Sequence, residues 1–165
     1  MIRKERGMAT VLKQEFDHYD HRILTELQKD ARISMAELGR RVHMSQPAVT
    51  ERVRKLEETG VITGYRAVVD PEALGYQIRA VVRIGGQAPS FERVTRLISE
   101  SPEIITAYNV TGEDSWVMEI AVANVRHLDE VVTKFNNVAA ETSTSIILRV
   151  VKSQVVLQPP SGAGS

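Results

Sequence analysis

Apolar residues recur at helical spacing through the first third of the chain and change to alternation further on. Ile23, Leu24, Leu27 and Ala31 form one stripe, which predicts a helix opening near Asp17 and Asp20, two acids that favour a helix N-terminus. Met35, Ala36, Leu38 and Val42 form a second, shorter stripe. Ser34 precedes it and Glu37 follows three residues on. That is the spacing of a capping box, in which the serine oxygen and the glutamate each satisfy a free N–H. Val42-His43-Met44 is the corner. Ser45 then caps a third helix, and Pro47 is tolerated in its first turn, where a missing N–H costs nothing. Val49, Val53 and Leu56 face inward, and Gln46, Thr50, Glu51, Arg52, Arg54 and Lys55 occupy the other side. Gly60 ends the helix, with Val61 as the hydrophobic contact beyond it.

A short capped helix, a brief corner and a longer polar-faced helix describe a helix-turn-helix, whose second helix enters the DNA major groove. An ordinary helical hairpin with a solvated face shares that pattern. Charge tips the balance. The 165 residues carry no formal net charge, so nucleic-acid binding must rest on a local patch. Between Arg40 and Arg66 there are six basic residues against three acids (Glu51, Glu57 and Glu58), and the excess lies on and beside the third helix. Gln46, Thr50 and Arg54 are the candidates for base edges, since Gln pairs with adenine and Arg with guanine. Ser34, Ser45, Arg40, Arg41, Arg52 and Lys55 suit phosphates or the helix itself, with Pro47 and Glu51 on the same surface. Arg52 has a second option, a pair inside the fold with Asp20 or a glutamate. Beyond Gly60, strand formers Val61, Ile62, Val68 and Val69 surround a Thr63-Gly64 turn signal. A small β-wing there would put Tyr65 and Arg66 on the DNA backbone; a plain linker is the other reading.

The second half reads as strands and helices in the order βαββαβ, a split ferredoxin-like domain, so the fold class is α+β. Ile78, Ala80, Val82 and Ile84 alternate along the first strand. A helix capped by Ser90 carries Phe91, Val94, Leu97 and Ile98 inward and stops at Pro102. Ile104 to Thr111 is a strand, Gly112-Glu113-Asp114 a turn, and Trp116, Met118, Ile120 and Val122 line one face of the next strand. Trp116 fits the core or the wall of a pocket. A helix follows with Val125, Leu128, Val131, Val132, Phe135 and Val138, and Thr142 to Lys152 closes the sheet. Both helices cover one sheet face. The other should carry Val81, Val117, Ala121, Ile147 and Val151, an apolar patch that predicts sheet-to-sheet packing of two chains. A homodimer would present two recognition helices about 34 Å apart. The expected layout is 16–70 for the helix-turn-helix domain, 71–77 for a linker marked by Pro71 and Gly75, 78–153 for the ferredoxin-like domain, and 154–165 for a disordered tail. Residues 1–15 are expected to fray, with Met8 as a second candidate start.

Several chemistries are disfavoured. With no cysteine there are no disulfides, zinc thiolates or cysteine nucleophiles, which fits a reducing cytoplasm. No apolar run approaches a membrane span and no secretory signal precedes the first helix, so no membrane partner is expected. His18 and His21 stand three apart without a third ligand nearby, so no metal and no cofactor are expected. The second domain has one histidine, His127, and no nucleophile–base spacing, so the chain is not read as an enzyme. An architectural DNA-binding protein without an effector is the alternative function. Its sign would be a broadly basic surface, which zero net charge opposes.

The chain resembles the Lrp/AsnC (feast/famine) family of transcriptional regulators. The likeness rests on the unbroken spacing of Asp20, Arg32, Leu38, Ser45, Val49, Arg52, Leu56, Gly60, Ile62 and Pro71, followed by YNVTGEDSWVMEIAV and TSTSIIL, and it runs from Asp17 to Lys152. The resemblance implies sequence-specific regulation of transcription by dimers that assemble further. It also implies an amino-acid effector bound between dimers, near the turn after the second strand and the start of the last. Those positions are Tyr108, Thr111, Gly112, Glu113, Asp114, Ser115, Thr142 and Thr144. A glycine in that turn lets backbone N–H groups approach a carboxylate. Many members carry an acid where this chain has Ser115, with Asp114 beside it. Either Asp114 takes over the role, or the effector differs, or none binds.

Overall fold

The computed structural model describes residues 16–86, 91–138, 141–152 and 156–157. The expectations for residues 1–15, for the Ser90 cap and for most of the tail fall outside them. The chain divides into two units, the first with three helices and Val156-Leu157, the second comprising 68–153. No helix among the described residues is long and apolar enough to cross a membrane.

The first unit contains α1 (His18–Lys29), α2 (Met35–Val42) and α3 (Gln46–Glu58). Asp17 caps α1 in a reciprocal box with Asp20: each side chain accepts the other's backbone N–H. At α2 only half of the expected box is made. The Ser34 hydroxyl accepts from Glu37 N–H at 3.2 Å, while the Glu37 carboxylate turns to Arg40 and Arg41. Ser45 makes no side-chain cap at all, a correction to the reading of α3. His43 takes the left-handed conformation (φ 59°) between the two helices. Ile23, Leu27, Ile33, Leu38, Val42, Val49, Val53 and Leu56 form the core, with Val61 and Ile62 packed against it. Ala31 and Ala36, expected inside, are exposed. Residues 61–70 contain no strand, so the strand pairing expected of a wing is not made within the described chain; Val68 is 78% exposed.

The second unit opens with a 3-10 turn at Glu72–Leu74 and continues as β1 (Ile78–Gly85), α4 (Phe91–Glu100), β2 (Ile104–Asn109), β3 (Asp114–Val122), α5 (Val125–Asn136) and β4 (Glu141–Ile146). The antiparallel sheet has the order β2-β3-β1-β4, which places the last strand beside the first, as a ferredoxin-like βαββαβ unit requires. Val82, Ile84, Met118, Ile120, Val131 and Phe135 are fully buried between sheet and helices. Trp116 is 6% exposed and lies 4.9 Å from the Phe91 ring, so it belongs to the core rather than to a pocket wall. Val125, expected inward, is exposed. Glu103 is buried beside α5, where His127 Nε2 stands 3.2 Å and Lys134 Nζ 3.8 Å from its Oε1.

The last strand is shorter than its β-branched sequence predicts: the β4 ladder stops at Ile146, and Leu148 and Val151 are about nine-tenths exposed. The open sheet face is also less uniform than expected. Val81 and Val117 are half-buried on it and Ala121 is buried, but an Arg79–Glu119 ion pair lies among them.

Candidate DNA-binding surface and effector site

The corner that aims α3 depends on a close approach the hydrophobic pattern does not show. Gly39 is buried on α2, its carbonyl accepts Met44 N–H at 2.8 Å, and a Cβ there would lie 2.8 Å from Met44 O. Only glycine lets α2 press so closely on the chain entering α3.

From α3, Gln46, Pro47, Thr50, Glu51, Arg54 and Lys55 are exposed. The Thr50 hydroxyl donates to Gln46 C=O at 2.8 Å, one turn back. Arg54 is held between Glu51, which accepts from its Nε at 2.9 Å, and Glu58. Those carboxylates, Glu51 foremost, push its guanidinium pKa up, so it is a cation at every accessible pH. Arg40 pairs with Glu37, and Arg41 with Glu26 and Glu37. Lys55 and Arg66 are exposed and make no ion pair among the described residues. Of the basic residues assigned to DNA, Arg52 departs most. Its Nη1 lies 2.7 Å from Asp17 and 2.8 Å from Asp20, so the internal alternative is the one the structure takes. Tyr65 likewise turns to the protein, donating to Glu57 at 2.9 Å. Burial first, and that carboxylate second, push its pKa up to about 12.

The turn residues of the second unit gather at one end of the sheet. Gly112 has φ 122°, open to glycine alone without strain. The β1–β3 register slips between Ile84 and Gly85, which pair with Trp116 and Asp114 and leave Ser115 as the extra residue. Ser115 C=O then accepts Val110 N–H at 3.0 Å and the Asn109 amide at 2.8 Å, closing the hairpin. Over Gly85 several oxygens converge: a Cβ there would stand 3.6 Å from Glu113 O, 3.6 Å from Glu141 Oε2 and 3.7 Å from Asp114 Oδ1. Arg83 Nε lies 3.8 Å from Asp114 Oδ2. The result is an acidic mouth with one arginine beside it, suited to a small ligand that carries both an ammonium and a carboxylate. Gly85, Arg83 and Glu141 were not singled out in the sequence. Their only signal was the Gly85-Gly86 pair.

The sheet separates the other candidates. Tyr108, 60% exposed, lies opposite Val117 on the open face. Thr142 and Thr144 lie opposite Ile84 and Val82, on the helix-covered face, and the Thr142 hydroxyl meets Asn136 of α5. Among the described residues no three His, Cys, Asp or Glu side chains are grouped to hold a metal.

Comparisons with known proteins follow the same division. Residues 16–63 match the winged helix-turn-helix DNA-binding family model, and residues 79–157 match the Lrp/AsnC ligand binding domain. The HTH-type transcriptional regulator LrpC of Bacillus subtilis is 34% identical over 133 residues, which span 81% of this chain and 92% of that protein. The solved structure of B. subtilis LrpC superposes with a TM-score of 0.80 at 32% identity, covering 85% of this chain and 99% of LrpC. A feast or famine regulatory protein from M. tuberculosis, solved in complex with L-methionine, gives a TM-score of 0.77 at 33% identity over 84% of this chain and 96% of that one.

Proposed function

Because this chain belongs to the Lrp/AsnC family of HTH-type transcriptional regulators, we propose that it binds operator DNA through α3 and is modulated by an amino acid at the β2–β3 turn. The observation that carries the reading is the exposed row Gln46, Thr50 and Arg54 on a helix whose other side is locked into a buried core. A row of donors and acceptors on a rigid helix is what reads base edges. Lys55, Arg66 and the exposed parts of Arg40 and Arg41 supply phosphate contacts. Arg52 holds the helix in place instead. In the second unit, Asp114 and Glu141 receive the effector's ammonium, and Arg83 with the N–H groups of the Thr111–Glu113 turn receives its carboxylate. The M. tuberculosis structure with L-methionine supports an amino acid as the ligand class. Two chains pair through the open sheet face around Val81, Val117 and Ala121, giving a homodimer with two recognition helices.

Selection of bound fragments from a random duplex library tests the DNA half. The reading predicts enrichment of one motif by the wild-type chain and loss of that motif with Arg54→Ala. Unenriched, salt-sensitive binding of every fragment would instead describe an architectural protein.

A further inference from the structure

The helix-turn-helix unit carries an apolar groove of about 430 Å3 between α1 and the stretch after α3, lined by Leu24, Leu27, Ala31, Val61 and Ile62. Leu157, from the far end of the chain, lines the same groove. Gln28 of α1 makes the contact. Its Oε1 accepts Leu157 N–H at 2.8 Å, and its Nε2 donates to Leu157 C=O at 3.1 Å. The same Nε2 donates to Leu24 C=O at 3.1 Å, which fixes the amide against its own helix. Both polar groups of one peptide residue are thus read by one carboxamide, the side-chain type that sets a donor beside an acceptor. Val156 is half-buried, whereas the Leu157 side chain is 76% exposed. The backbone pairing, not leucine burial, is therefore what seats the segment. This is how an extended peptide is held: main-chain hydrogen bonds give attachment, and an adjoining apolar groove gives shape.

We propose that this groove is the docking seat of the chain's own Val156-Leu157 segment, with Gln28 as the clamp that holds its backbone. Tyr65 and Arg66 line the groove too, so the seat adjoins a residue placed at the DNA phosphates. Val156-Leu157 is thus a strap held on the DNA-binding unit.

Because the chain has no cysteine, Ala31→Cys with Leu157→Cys introduces the only thiol pair. Under copper–phenanthroline oxidation at low protein concentration, this pair should close an intramolecular disulfide about ten-fold faster than Thr50→Cys with Leu157→Cys, as an effective concentration of neighbours predicts. Adding Gln28→Ala should slow closure several-fold, and Gln28→Glu, which keeps the acceptor and loses the donor, should fall between. Equal rates for the two pairs, or no response to Gln28→Ala, overturn the clamp. A covalent dimer as the main product overturns the assignment to the same chain.

Discussion

Arg52 of α3 reaches Asp20 of α1, with Nη1 2.8 Å from Oδ1, and the same nitrogen lies 2.7 Å from Asp17 Oδ2. The two carboxylates that cap α1 are therefore also the anchor of the recognition helix. The guanidinium is about a third exposed, so the pairs are screened and modest. Arg52→Ala should lower the stability of the first unit by about 1 kcal/mol. Asp20→Ala should cost less once Arg52 is gone, which a double-mutant cycle by urea denaturation would read. DNA affinity should fall equally on specific and random duplexes. A selective loss on the operator would return Arg52 to the base-reading set.

Gly39→Ala should destabilise more. The added methyl meets Met44 O at 2.8 Å, a backbone atom that cannot swing away. Overpacking of this kind costs about 1–3 kcal/mol, and relief requires the α2–α3 corner to open. Thermal unfolding should show the loss, together with weaker DNA binding by the folded fraction. Unchanged melting would mean that the corner is looser than its hydrogen bond indicates.

Arg54 must leave Glu51 and Glu58 before it can reach a guanine. Arg54→Ala should cut operator affinity about 10- to 100-fold, the worth of one bidentate contact, with little effect on random DNA. Glu51→Gln should strengthen binding, because it exchanges the charged acceptor that competes for Arg54 for a weaker neutral one and removes a negative charge from the DNA-facing side. Electrophoretic titration on specific and random duplexes measures both. Equal losses on the two duplexes for Arg54→Ala would leave it a phosphate contact.

Acid should unfold the protein through three carboxylates. The Asp20 N–H bond holds Asp17 below its ordinary 3.8, and Lys29, then Arg41, hold Glu26 below 4.5. Burial raises Glu103, but its own backbone N–H with His127 and Lys134 outweighs that and leaves it below 4.5. Depressed folded values mean that the unfolded chain binds more protons in acid. Their stabilisation is complete above about pH 5 and is lost as pH falls through the folded values. Melting temperature against pH should decline on that acid side. Glu103→Gln should flatten the part belonging to the second unit, and an unchanged slope would show that Glu103 does not contribute.

Much of this was legible in the chain because the signals are local. The 3.6-residue stripes placed α1 to α3, and the alternation along Ile78–Ile84 and Trp116–Val122 placed β1 and β3. Gly39 was missed because its role comes from contact with Met44, not from any stripe. Arg83 was missed because it reaches Asp114 across strands, and Glu141 because it comes beside Gly85 from the neighbouring strand; register cannot be read from one sequence. Thr142 and Thr144 were grouped with Tyr108 by the family resemblance, and pairing with Ile84 and Val82 puts them on the opposite face from Tyr108. Residues 147–152 have strand-forming side chains, but beyond the Ile147 N–H bond to Arg79 C=O they extend no ladder among the described residues, so composition overstated β4. Leu157 was assigned to a disordered tail because nothing local shows that Gln28, 129 residues away, receives it.

The most direct test of the account is thermal unfolding of the purified protein against each of the twenty amino acids, with mass in solution followed alongside. A ligand that binds only the folded state raises the melting temperature by mass action, by about 2.7 kcal/mol of stability at a hundred times its Kd. The account predicts a shift with one or a few amino acids, abolished by Asp114→Ala and by Gly85→Val, which fills the space between Asp114 and Glu141. No shift with any amino acid, in a protein that is folded and oligomeric, would contradict the effector site while leaving the DNA-binding helix standing.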